Sequence, residues 1–191
     1  MLEITFTQLT VLIILAWISF RTAHAFHKKS LTITREAQLL LVLTCIIVIA
    51  RIVFFPWHHI DGRIGTMKLD LSQLPPQYNL IPIKKLFIHY KGWQMNIIGN
   101  ITMFIPVGII WPVCFKKLDT PAKTILAGAG YSLCIELCQL LFYERLTDID
   151  DLILNTIGVT IGAPIYFYIV KRNFGKIFFK SKNTDFVPGR Q

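Results

Sequence analysis

Five long apolar segments, separated by polar connections rich in turn residues, constrain this chain more than any other feature. They run over residues 4–20, 37–57, 93–115, 121–142 and 150–170. At 1.5 Å rise per residue, about 20 apolar residues cover the hydrocarbon core of a bilayer, so most of these segments are long enough to cross one as helices. With 53% hydrophobic and 16% charged residues, the 191-residue chain is too apolar for an ordinary soluble domain. The expectation is therefore all-α: a polytopic membrane helical bundle of about five transmembrane helices. Residues 1–57 would form two N-terminal spans and 58–92 an extracytoplasmic loop, with an interfacial stretch near 84–90. Residues 93–170 would form a three-helix core and 171–191 a basic tail.

The formal charge of +9 does not point to nucleic acid. The basic residues punctuate the apolar segments, as topology signals and anionic-lipid contacts do, so the partners expected are membrane lipids. The N-terminus, Met-Leu-Glu, lacks the basic start of a secretory signal, and Ala23-His-Ala25 is read as part of a retained first span rather than a cleavage site. Cys45, Cys114, Cys134 and Cys138 all lie in apolar segments, with no CxxC pair and no His-rich tract, so no metal site is assigned. No cofactor motif is present.

Thirteen Lys or Arg residues flank one side of the five spans: Arg21, Lys28, Lys29 and Arg35, then Lys116, Lys117 and Lys123, and six in the tail. The other side carries six: Arg63, Lys68, Lys84, Lys85, Lys91 and Arg145. The positive-inside rule then puts the N-terminus outside and the C-terminus in the cytoplasm.

Polar residues inside the spans are few and patterned. Ser132, Glu136, Gln139 and Tyr143 are spaced by four, three and four, and so share one helix face. A charged group at the bilayer centre costs about 2.5–3.5 kcal/mol even on permissive scales, so Glu136 should face a partner or a wet cavity. Asn96 and Asn100 share a face of the third span. In the fifth, Asp151, Asn155, Gly158 and Gly162 form a stripe, polar then small, that permits close helix approach. Counted from the outer ends, Asn100 lies roughly 10 Å deep, Glu136 roughly 9 Å and Asn155 roughly 7–8 Å. Arg51, six residues before Trp57, falls in the same layer. It is read either as an arginine snorkelling to the interface or as the partner of a carboxylate on a neighbouring helix. Pro106-Val-Gly108 should loosen the third span midway.

One pocket opening outward would collect these groups; polar glue between helices is the plainer alternative. Glu136 is the candidate general acid or base, with Asp148, Asp150 or Asp151 as second carboxylate and Arg51 or Arg145 as the neutralising cation. The acidic run at Thr147–Asp151 could hold a hard cation, or could simply complement the positive end of a helix dipole. Ser132 is a poor nucleophile candidate, because His24, His27, His58, His59 and His89 all lie outside the spans that carry the cluster.

At these residues the chain resembles the VanZ-like family of small bacterial membrane proteins. The similarity is carried by Asn79-Leu-Ile-Pro82, Asn96-Ile-Ile-Gly-Asn100-Ile-Thr-Met-Phe104-Ile-Pro106-Val-Gly108, Ser132–Gln139, and the stretch from Arg145-Leu-Thr-Asp148 through Asn155 and Gly158 to Gly162. The resemblance implies a multi-pass protein of the bacterial cell envelope, in a family named for a member linked to low-level teicoplanin resistance. It does not imply a reaction.

The site expected has Glu136, Asp150 and Asp151 as chemical groups, with Asn96, Asn100, Ser132, Gln139, Arg145, Asp148, Asn155 and Arg51 as binding residues. It would bind, or act on, a lipid-linked cell-wall precursor or a glycopeptide. The competing expectation is a non-enzymatic binding or scaffold protein. Transport is disfavoured, since five spans without an internal repeat make a poor monomeric transporter.

Overall fold

The computed structural model describes residues 2–28, 32–55, 59–60, 63–69, 78–83, 92–142 and 146–170. The expectations for Trp57, Tyr143, Arg145, the 84–90 stretch and the basic tail fall outside these residues.

The protein is an all-α membrane bundle with five helices among the described residues: α1 (Phe6–Lys28), α2 (Ile33–Phe54), α3 (Trp93–Cys114), α4 (Pro121–Gln139) and α5 (Ile149–Pro164), which continues into a π-helical turn at Ile165–Val170. Four of them are long and apolar enough to cross a membrane: α1, α2, α3 and α5 with its extension. The less apolar one is α4, which carries Lys123, Ser132, Glu136 and Gln139 within 19 residues. It also stops three residues earlier than the apolar run suggests. Leu140–Phe142 turn away, with the Leu141 and Phe142 N–H groups donating to the Cys138 and Gln139 carbonyls.

Local chemistry sets the helix starts. Thr5 and Gln8 form a capping box ahead of α1: the Thr5 N–H donates to Gln8 Oε1 at 2.8 Å, and the Gln8 N–H to Thr5 Oγ1 at 3.2 Å. Thr120 caps α4 through the Lys123 N–H at 3.3 Å, with Pro121 opening the helix where its missing N–H costs nothing. Asp148 caps α5 through the Asp150 N–H at 3.1 Å.

Packing centres on α5, which runs beside α3 and against α4. A Cβ on Gly158 would lie 2.2 Å from the Ile101 carbonyl oxygen, and one on Gly162 would lie 2.2 Å from that of Ile105. Only glycine lets α3 and α5 approach this closely, as the small-residue stripe predicts. Pro106 and Pro112 sit within a single continuous helix. The core of Ile49, Val53, Met103, Phe104, Val107, Ile135 and Val159 is shared by α2, α3, α4 and α5. By contrast α1 has no buried residue in its span. Its ends are held by an ion pair between Arg21 and Glu36 and by an edge-on contact of Phe6 with Phe55.

Short extended segments cover one end of the bundle. Strand β1 (Leu2–Ile4) pairs antiparallel with β4 (Met67–Leu69), β2 (His59–Ile60) pairs with β3 (Arg63–Ile64), and Leu69 bridges to Phe142. Strand β5 (Tyr78–Asn79) runs parallel to β6 (Thr147–Asp148), with Asn79 opposite Asp148. The α2–α3 connection, read from sequence as an extramembrane loop, is thereby stitched onto the α4–α5 junction.

Candidate functional site

The site lies beneath these strands, where α4 ends and α5 begins. Ser132, Glu136 and Gln139, from the predicted polar face of α4, are all buried, and the first two bond to α5 and its cap residue. The Glu136 carboxylate, 4% exposed, accepts the Asp148 N–H on Oε2 at 2.9 Å, and the Glu136 carbonyl accepts the Thr147 hydroxyl at 3.0 Å. A side chain from the end of one helix therefore closes the turn into the next.

Each aspartate is engaged differently. Asp148 Oδ1 caps α5 and also accepts from Asn79 Nδ2 at 2.8 Å. Asp150, 2% exposed, accepts the backbone N–H of Ile83. Asp151 accepts from Asn100 Nδ2 at 2.7 Å and more loosely from Asn96 Nδ2 at 3.4 Å, while Asn100 also donates to Asn96 Oδ1 at 3.0 Å. All three carboxylates sit in or beside the first turn of α5, where its dipole favours negative charge. Ile83 has φ +68°, a conformation β-branched residues rarely adopt, and its bond to Asp150 helps hold it there.

One turn deeper, Asn155 Nδ2 donates to Ser132 Oγ at 2.9 Å, with both residues fully enclosed. Two buried acceptor oxygens in this region have no hydrogen-bond partner among the described residues: Asn155 Oδ1 and Gln139 Oε1. An unpaired buried polar group costs about 1–3 kcal/mol, so the cluster is short of donors. Among the described residues, no group of three or more His, Cys, Asp or Glu side chains could hold a metal ion.

The structure thus gathers Glu136, Asp148, Asp150, Asp151, Asn100, Asn155, Ser132 and Gln139 along the α3–α5 and α4–α5 seams. Asn96 lies at the exposed rim. Arg51 reaches the carbonyl of Phe55 at 3.4 Å and lies over the Phe6 ring at 5.8 Å, which places its guanidinium on the α1 side of the same end. The residues not singled out for the site from sequence are Asn79, Ile83 and Thr147. The first two arrive from 67–69 positions away, and the only sequence signal was the polar turn Asn79-Leu-Ile-Pro82 inside an otherwise unpatterned loop.

The chain matches a family profile described as VanZ/LLP1 over residues 39–171, which runs from within α2 through α5 and leaves out α1. Protein VanZ of Enterococcus faecium is 36% identical over 102 residues, covering 47% of this chain and 60% of that protein. The match thus spans less than two thirds of the relative's length. No solved structure matches the chain. With well over half of its length matched by the profile, the chain belongs to the VanZ/LLP1 family.

Proposed function

We propose that this protein sits in the bacterial cell membrane with the strand-covered end outward, and that the cluster there is an intramembrane pocket for a lipid-linked or cell-wall-related molecule. The observation that carries this reading is the pair of unpartnered buried acceptors, Gln139 Oε1 and Asn155 Oδ1, on the helix faces that also carry Glu136 and Asp151. A site of this kind suits a ligand that brings its own donors, such as sugar hydroxyls or an amine, because the buried acceptors are otherwise unsatisfied. Glu136, a buried carboxylate, is the group poised for proton transfer. Asp150 and Asp151 position the α5 end, and Asn96, Asn100, Gln139 and Asn155 orient the ligand. The similarity to Protein VanZ extends the proposal to low-level glycopeptide, and specifically teicoplanin, resistance.

A second reading has its own support. The Asn155–Ser132, Asn100–Asp151 and Glu136–Asp148 bonds each join two elements, as structural glue would. Glutamine at position 136 separates the two readings, because its amide oxygen can still accept the Asp148 N–H while the charge and the proton site are lost. Teicoplanin and vancomycin susceptibility would be measured in a sensitive Gram-positive host expressing wild type, Glu136→Gln or Gly158→Leu at matched membrane levels. Protection lost in Glu136→Gln supports the pocket. Protection that survives Glu136→Gln but not Gly158→Leu supports a binding or scaffolding role. Failure of wild type to protect would detach this protein from glycopeptide resistance.

A further inference from the structure

A second site lies at the opposite end of the bundle, where α2 and α4 begin and α3 ends. A cavity of about 980 Å³ opens there between residues of α1, α2, α3 and α4. Ligand cavities of roughly 300–1,000 Å³ are usual, so this one has room for a large ligand. Part of its lining is apolar: Val42 and Ile46 lie one helical turn apart on α2, and Trp17 of α1 joins them. Ile46 is eleven residues beyond Arg35, roughly 16 Å along the helix.

The mouth is cationic. Arg35, Lys116 and Lys117 line it, and among the described residues no acidic one does. The Arg35 guanidinium is held in place by one N–H donated to the Cys114 carbonyl and by lying 5.8 Å above the Phe115 ring. Its remaining N–H groups have no hydrogen-bond partner among the described residues, and neither lysine takes part in an ion pair there. The nearby Asp119 carboxylate is engaged with Lys123. Trp111 also lines the cavity, and its buried indole N–H has no partner among the described residues.

A cationic rim, an indole donor and an apolar stretch of lining at the end of membrane-spanning helices fit a molecule with an anionic head and long apolar tails. We propose that this cavity binds an anionic glycerophospholipid. The phosphate meets Arg35, Lys116 and Lys117, an ester oxygen accepts from Trp111, and an acyl chain lies along Val42 and Ile46. Arginine supplies paired donors suited to phosphate, while the lysines act as point charges.

The test is native mass spectrometry of the full chain in detergent, titrated with phosphatidylglycerol or phosphatidylcholine bearing identical acyl chains, and with glycerol phosphate as the head group alone. The expectation is one tightly retained phosphatidylglycerol, with phosphatidylcholine weaker by at least tenfold and no retention of glycerol phosphate. Lys116 and Lys117 are exposed, so Lys116→Gln/Lys117→Gln leaves the Arg35 contact and the fold intact; at about 1 kcal/mol per surface charge it should weaken retention roughly thirtyfold. Ala127→Trp, which fills the cavity without changing charge, should abolish retention while circular dichroism shows wild-type helicity. Equal retention of the two lipids overturns the proposal. So does retention unchanged by the lysine variant, or by a folded Ala127→Trp protein. Tight capture of glycerol phosphate alone would mark a phosphate site and equally overturn it.

Discussion

Replacing Gly158 by alanine tests the closest approach in the bundle. The new Cβ would lie 2.2 Å from the Ile101 carbonyl oxygen and 2.9 Å from Phe104 Cβ. Carbon–oxygen contacts between packed helices fall at about 3.3–3.6 Å, so relieving the clash asks α3 and α5 to part by about 1 Å. A gap of that size forfeits roughly a quarter to a half of each dispersion contact across the seam, and overpacking typically costs about 1–3 kcal/mol. The better helix propensity of alanine returns about 0.8–1.0 kcal/mol. The net expectation is a loss of up to about 2 kcal/mol. Gly130 supplies the control, since a Cβ there meets nothing within 4 Å; Gly130→Ala should be neutral or stabilising by up to about 1 kcal/mol. The assay is reversible unfolding in mixed micelles, with sodium dodecyl sulfate as denaturant and helicity followed by circular dichroism. Gly158→Ala as stable as Gly130→Ala would refute the close α3–α5 approach.

A double-mutant cycle on Ser132→Ala and Asn155→Ala, read by the same unfolding assay, should give a coupling of about 0.6 kcal/mol, bounded near 1.7 kcal/mol by other membrane helix pairs. Zero coupling would mean that their hydrogen bond is not made. Asp148→Ala should cost about 0.5–2 kcal/mol through loss of the α5 cap, while Asp148→Asn keeps most of that stability because asparagine caps equally well. Equal losses in the two would place the role of Asp148 in its charge. Arg21→Gln removes a half-buried ion pair worth about 0.2–1 kcal/mol. Hydrogen exchange in α1 should rise by up to about fivefold while α3 and α5 are unchanged, and faster exchange across the whole bundle would show that α1 supports the core.

Helix number, and the glycine and polar faces, were legible in sequence because both rest on a helical period. Ser132, Glu136, Gln139, Asn155, Gly158 and Gly162 lie on the faces their spacing assigns. Nothing periodic marks the 58–92 connection. Its contribution to the site depends on a two-residue parallel ladder and on backbone donors such as the Ile83 N–H, which carry no residue signature. The end of α4 was misplaced for a related reason. Leu140, Leu141 and Phe142 are as apolar as the helix before them, so composition continues where the backbone turns. Arg51 left two readings open in sequence, and its contacts with Phe55 and Phe6 follow from tertiary context.

The glycine seam between α3 and α5 also imposes an order of assembly. Gly108 lies fifty residues before Gly158 in the chain, and a ribosome adding about 5–20 residues per second needs roughly 2.5–10 s to make that stretch. For that interval α3 is in the membrane without the helix it packs against most closely. Its other neighbour is already present: Ile49 and Val53 of α2 share the core with Met103, Phe104 and Val107. The apolar flank of α3 is thus occupied first, and its glycine-bearing flank faces lipid until α5 emerges. The turn closed by Glu136 and Asp148 spans only twelve residues, so α4 and α5 can fold together as a hairpin with little loop-closure entropy to overcome. Nascent-chain timing then docks the α4–α5 hairpin onto an α2–α3 pair, and the strand cover forms last, because Asn79 and Ile83 donate to Asp148 and Asp150 of the late-arriving α5 end.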